Sequence, residues 1–339
     1  MLTVTHEEVE QFNRCPRRWA WGSAGGMGLG FYRRPSHKAF CAEAIKMYLY
    51  GESDDPLTTA LNFFEQRMST DASDEDYQAD LAIGKCVIQN FALWYSSLYN
   101  GFDCEPYEHL GVVQPLFPKS PIVIESTEDG YVIFRSEPDD SHEYLLKVIV
   151  TTEKSETWRQ RLTRGDEEMN LALALHREAG NKFDGVMYLV VRFKAPAIPE
   201  RLKSGGLTKR ANIDTTAQVY RQAIRESGLN EADYAEILSI LDMKGNTFID
   251  MVFYTPTEAQ TDAALSRARM ASELLGHPGW ESIARPYDPS WCARCPFVDA
   301  CLAFDRHEDY KFFLGQNKNN KDINLMIDWS TFDVSSFGK

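Results

Sequence analysis

Three thiols stand within ten residues near the end of the chain, in Cys292-Ala-Arg-Cys295-Pro-Phe-Val-Asp-Ala-Cys301, and two of them carry the C-x-x-C spacing. A fourth stands alone in Phe12-Asn-Arg-Cys15-Pro-Arg-Arg-Trp19. Thiolates are metal ligands, and three clustered sulfurs need a fourth to complete a tetrahedral or cuboidal centre, which Cys15 can supply from the far end of the chain. The spacing alone fits zinc and an iron–sulfur cluster equally. Two plainer readings stay open: a C-x-x-C pair also serves redox exchange, and an isolated cysteine is commonly a small buried hydrophobe. The seven cysteines (with Cys41, Cys86 and Cys104) form an odd set, and Met1-Leu-Thr-Val-Thr-His-Glu-Glu lacks the basic start and apolar run of a secretory signal. Reduced thiols in a cytoplasmic protein are therefore expected rather than a disulfide framework.

Such ligands need a scaffold that brings both ends together. With 339 residues, 43 % apolar and 12 % aromatic, the chain can bury a sizeable core. No apolar run approaches the roughly 20 residues of a membrane span, so a soluble chain with no membrane partner is expected. A net charge of -14 excludes a surface that coats nucleic acid as a whole, but leaves room for a local basic groove.

Residues 1–106 read as helical: Thr5 with Glu8 is a capping pattern, a helix follows over Ser36–Tyr50, and Ile83, Val87, Phe91 and Trp94 space out another over Asp76–Tyr99. Over 107–195 the period changes. Runs rich in β-branched and aromatic residues at Val112–Phe117, Gly130–Arg135 and Tyr144–Thr152 predict three strands of one sheet. A helix over Thr157–Ala179 and a strand over Gly185–Arg192 complete an α/β core. Pro196–Thr216 is a polar excursion. Helices at Thr215–Ser227 and Glu231–Leu241, a strand at Thr247–Tyr254 and a helix at Thr257–Leu275 fill 196–290 before the cysteine segment at 291–305. One domain over 1–314 and an acidic, aromatic tail over 315–339 are expected.

At the level of motifs, "FNRCPRRW", the distant "WCARCPFVDAC" and the α/β core between them resemble the iron–sulfur branch of the PD-(D/E)XK nuclease superfamily. This branch holds the Cas4, AddB and RecB-like nucleases, and the Cas4-like exonucleases of tailed phages come closest. "GVMYLVVR", "GGLTKRANIDTTAQVYRQAI" and "VFYTPTEAQTDAALSRAR" are similar to their downstream regions. The resemblance implies a restriction-endonuclease-like mixed sheet flanked by helices. It also implies a [4Fe–4S] cluster on Cys15, Cys292, Cys295 and Cys301 that joins the two ends, with zinc as the alternative, and action on single strands or DNA ends.

The family's hydrolysis uses two carboxylates that hold Mg or Mn and a lysine, all on one β-hairpin. The Gly-x-x-Asp turn is matched by Ser136-Glu-Pro-Asp139, and the histidine that some members add to the metal is matched by His37. The (Asp/Glu)-x-Lys-Thr pattern falls on Ile149, Thr151 and Thr152, where isoleucine offers no oxygen and threonine no amine. The downstream Gln-x3-Tyr falls on Glu168 and Ala172. Among the nearby Glu143, Lys147, Glu153 and Lys154, strand alternation leaves Lys147 and Glu153 as replacements on the face of Ile149 and Thr151. Asp242-Met-Lys244 spells Asp-x-Lys but reads as a turn. The expectation is a DNA-binding protein with impaired cleavage, acting in phage-type replication, recombination or transcription. Its rivals are a Mg- or Mn-dependent exonuclease on Asp139, Glu153 and Lys147, and a scaffold that recruits a polymerase or helicase.

DNA contacts are expected from Arg17 and Arg18 beside Cys15, from Arg33 and Arg34, from Arg159 and Arg161, and from Lys209 and Arg210. Trp19, Trp21 and Trp158 are placed among them to stack on bases. The tail is expected to dock on a replication or transcription partner or to cover the basic groove.

Overall fold

The β-branched runs of the middle of the chain pair into a mixed five-stranded sheet in the computed structural model of the protein. It describes residues 2–22, 36–50, 53–69, 77–97, 102–106, 114–115, 122–125, 130–137, 140–163, 165–210, 212–275, 292, 295, 297–310 and 312. The strands are β1 Leu2–Thr5, β2 Phe102–Pro106, β3 Gln114–Pro115, β4 Ile122–Glu125, β5 Gly130–Glu137, β6 Asp140–Thr151, β7 Gly185–Arg192 and β8 Ile249–Tyr254. The large sheet has the order β2-β5-β6-β7-β8. Its neighbours run antiparallel except β6 and β7, which are parallel across a helical crossover. The hairpin of β5 and β6, the return through helix and the strand β7 follow the order read from the sequence, whereas the first strand of the sheet, β2, does not.

The helices are α1 His6–Arg14, α2 Pro16–Gly22, α3 His37–Tyr50, α4 Pro56–Ser69, α5 Tyr77–Ser97, α6 Ser155–Leu162, α7 Glu167–Glu178, α8 Ala217–Glu226, α9 Ala235–Lys244, α10 Glu258–Leu275 and α11 Val298–Asp305. Because side chains alternate along a strand, β6 and β7 bury residues on both faces. Leu146, Val148, Met187, Leu189 and Val191 pack against α3, α4 and α5. Leu145, Val186, Tyr188 and Val190 pack against Leu162 of α6 and Met169, Ala172 and Leu173 of α7. The far side of α7, with Leu171, Ala174 and Leu175, meets α1, α10 and α11. Helix α7 is thus buried from Met169 to His176 and couples the sheet to the cysteine segment. Leu207, α8 and α9 form a separate cluster of their own. Among the described residues no helix is long and apolar enough to cross a membrane.

Several expectations are corrected. Of the Val112–Phe117 run the described residues are Gln114–Pro115, and this pair joins β4 and β1 in a second, three-stranded sheet rather than the sheet of β5 and β6. Pro115 has no N–H to give a central ladder, which confines it to such a short edge. The segment 1–106, read as helical throughout, holds β1 and β2 as well as the unforeseen α4. The single helix expected over Thr157–Ala179 is two, because Gly165 takes φ +92° and Asp166 starts afresh by capping Met169 N–H at 3.3 Å. Asp242–Lys244 ends α9 instead of forming a turn. The tail lies outside the described residues.

Candidate functional site

The cysteine centre begins with a helix break. Thr5 and Glu8 close a reciprocal capping box at the start of α1, at 2.9 and 3.1 Å. Pro16 disfavours helical backbone at Cys15, which sits at φ -159° and ψ 101°, and then serves as the first residue of α2. The chain turns sharply there while both helices stay bonded, Cys15 N–H to Gln11 O and Trp19 N–H to Cys15 O, each at 3.0 Å. Phe12 and Trp19, edge to face at 5.5 Å, are buried with Phe297 and Ala300 from the far end of the chain.

Two of the cysteines belong to this seam, Cys301 within it and Cys295 packed against it. Cys301, on α11, is 6 % exposed. Its Sγ accepts from Arg17 Nη1 at 3.4 Å, a contact between residues 284 positions apart. Cys15 Sγ accepts from the Arg18 N–H at 3.4 Å. Burial pushes the half-buried Cys295 thiol up; the Phe297 backbone N–H and Arg18 oppose this, and Cys15 and Cys301 are close enough to add to it by their charge. Cys292 stands one turn before, its carbonyl accepting from Cys295 N–H at 3.0 Å.

The donor set suits a metal centre: soft sulfurs, apolar cover, and N–H groups directed at three of the thiols. Among the described residues no three His, Cys, Asp or Glu groups close around a point for one metal ion. A cuboidal cluster holds its thiolates at separate corners and so needs a wider spacing of sulfurs than a single ion does. Cys15, Cys292, Cys295 and Cys301 are the residues that would hold it.

The hairpin residues are not assembled in the same way. Asp139 lies outside the described residues. Its chain neighbour Asp140 opens β6 opposite Glu137, and from there to Ile149 the strand runs about 30 Å at roughly 3.3 Å per residue. The two ends of β6 cannot serve one metal ion. Ile149 packs into the core beside α6 and α7. Lys147 shares that face, but its amine is taken by Glu168 of α7 and lies 3.4 Å from Met169 Sδ.

Burial pushes the Glu168 carboxyl up, yet Lys147, with His6 and Arg14 adding to it, outweighs this and holds the group below the usual carboxylate range. His6, fully buried, places Nε2 4.0 Å from Glu168. Glu153 pairs instead with Arg161 at 2.8 Å. His37 Nδ1 meets Asp80 Oδ2 of α5 at 2.5 Å, and α3 lies against the opposite face of the sheet from Lys147. Sequence reasoning missed His6 and Asp80, whose only signal was polar residue type within helices that otherwise read as packing faces.

The basic residues also divide. Arg17 is 6 % exposed, bonded to Asp305 at 2.7 Å and lying 4.4 Å over Phe304, so it belongs to the interior rather than to a DNA surface. Arg18 sits beside Cys15, while Arg33 and Arg34 lie outside the described residues. Arg159 is held by Asp250 through two bonds of 3.0 and 2.7 Å, and Lys209 reaches Asp233 O at 2.5 Å. Arg161 and Arg210 are exposed. Trp19 is core, which removes it from base stacking, and Trp158 is half-buried with Arg161 5.2 Å over its ring. The Trp21 side chain lies outside the described ones. Set against models of known families, curated proteins and solved structures, the chain matches none of them.

Proposed function

We propose that the chain is a DNA-binding protein for single strands or DNA ends. In this reading it is built on the restriction-endonuclease-like core of iron–sulfur PD-(D/E)XK nucleases, with hydrolysis impaired and a [4Fe–4S] cluster on Cys15, Cys292, Cys295 and Cys301. One observation carries it: Arg17 Nη1 donates to Cys301 Sγ while the Arg18 N–H donates to Cys15 Sγ, so neighbouring residues reach both sulfurs although almost the whole chain separates the two cysteines. Such a cluster would supply four iron–sulfur bonds that staple the α1–α2 break to α11. The sequential sheet with its β5–β6 hairpin and parallel β7 supports the core. Impairment is supported by Ile149 and Thr151 in the pattern's positions and by the engagement of Lys147 and Glu153 with other partners.

The test is an anaerobic preparation assayed for iron, acid-labile sulfide and visible absorption, beside Cys15→Ser and Cys301→Ser. Wild type should carry iron and sulfide that both variants lose; zinc in place of iron would replace the cluster, and neither metal would sink the reading. Labelled single- and double-stranded DNA with Mg²⁺ or Mn²⁺ should be bound and left intact. Product that disappears in Asp139→Ala or Lys147→Ala would establish the exonuclease instead, and absence of DNA affinity at low salt would leave the scaffold.

A further inference from the structure

Beyond the carboxyl ends of β6 and β7 a cleft of about 640 Å³ opens between Lys154 at the start of α6, Arg192 and Asp214, and the turn from Lys244 to Thr247 that leads into β8. Ligands of open α/β sheets bind at the carboxyl ends of parallel strands, where the connections part and leave a crevice, and this volume is ordinary for such a pocket. Four cations line it, Lys154, Arg159, Arg192 and Lys244, against the three carboxylates Glu156, Asp214 and Asp250. Asp250 is committed to Arg159.

Asp214 is shared. Arg192 Nη1 stands 3.3 Å from both its oxygens and Lys194 Nζ 2.5 Å from one. Burial pushes the Asp214 carboxyl up, but Lys194 and Arg192, with Lys244 adding its field, hold it below the usual range. Several cations around one carboxylate leave positive charge uncompensated on this wall, in a chain whose total is -14.

Arg192 Nε, Asn246 Nδ2 and Thr247 Oγ1 are buried with no partner among the described residues. Asn246 Oδ1 is already taken by the Phe248 and Ile249 N–H groups at 2.8 and 3.1 Å. None of the described residues lining the cleft is aromatic, so a base finds nothing to stack on. Cations in excess of carboxylates, with no ring, select an oxyanion rather than a base.

We infer that this cleft is a phosphate site that takes a backbone phosphate of the bound DNA strand; the identity of the ligand rests on the DNA-binding reading, and the site itself does not involve the cysteine centre. Lys154 and Lys244, both exposed, supply the mobile charge, while Arg192 is fixed by Asp214 and orients the group.

The full chain is titrated with a labelled single-stranded oligothymidine over a range of salt, and separately with inorganic phosphate followed by calorimetry. Wild type is compared with Lys154→Gln, Lys244→Gln and the remote control Lys182→Gln, each checked for an unchanged melting curve. The slope of log affinity against log salt should fall by about 0.7 for each cleft lysine removed, with the control unchanged. Phosphate binding should weaken in the same two variants. Tight oligothymidine binding with unaltered slopes overturns the cleft and leaves the DNA reading in place. Lysine-dependent phosphate binding without DNA affinity overturns the DNA ligand and assigns the cleft to a free phosphate, and failure of both probes overturns both.

Discussion

A guanidinium out of water is stable only when its charge is answered, and Arg17 is answered three times, by Asp305 at 2.7 Å, by Cys301 Sγ at 3.4 Å and by the Phe304 ring. Arg17→Gln should lower the unfolding free energy in urea by about 1–3 kcal/mol, less than a fully buried pair because Asp305 is partly exposed. If the proposed cluster is present, the variant should also release iron faster to a chelator, because the bond to Cys301 Sγ is lost, with Arg17→Lys in between. A second residue, His176, is buried with its pKa lowered to about 4, first by burial and then by the charge of His6. A histidine depressed in the fold takes its proton first in the unfolded chain. Stability should therefore fall as pH drops from about 6.5 to about 4, by up to about 3 kcal/mol, and level off below. His176→Gln should flatten that part of the profile in urea titrations at stepped pH; an unchanged profile would remove the histidine from the account. The cysteine types and the Cys-Pro pairing were legible in the sequence at this scale. The partner of Lys147 was not, because Glu168 and Met169 come from a helix that only folding lays across the strand.

Elements place these residues, and two of them do so through close approach. A Cβ added at Gly84 would lie 2.2 Å from the ring of the buried Phe64, so the ring or the helices α4 and α5 would have to shift. Gly84→Ala should cost about 1–3 kcal/mol in equilibrium unfolding, and a neutral result would mean that the helices part easily. The capping box of α1 has a different use, since it sets the start of the helix whose end presents Cys15. Thr5→Ala should cost about 1 kcal/mol and leave the iron content intact, because the Cys15-Pro16 break is made locally. Periodicity revealed α3, α5, α8, α10, β5, β6 and β7. It did not reveal β2 or the splitting of 157–179, where a glycine with positive φ and one aspartate cap override a helical spacing.

For the whole molecule, the seam between α1–α2 and α11 closes a loop of 288 positions from Arg17 to Asp305, and any ligand bound there stabilises the closed form by mass action. Iron-loaded wild type should melt above Cys15→Ser, and the two should melt together once iron is stripped under reducing conditions. A gap that survives stripping would assign Cys15 to packing alone.

What residue order determined by itself was chemistry of short range: thiols at their spacing, a proline that breaks a helix at Cys15, the alternation that makes β6 and β7, and an isoleucine and a threonine, without carboxylate or amine, at positions 149 and 151. Only tertiary structure decided that Arg17 and Trp19 are interior and that Glu153 answers Arg161. The division has a physical cause, since backbone preference and side-chain period act over a few residues, whereas a buried charge or sulfur takes the partner that packing brings to it.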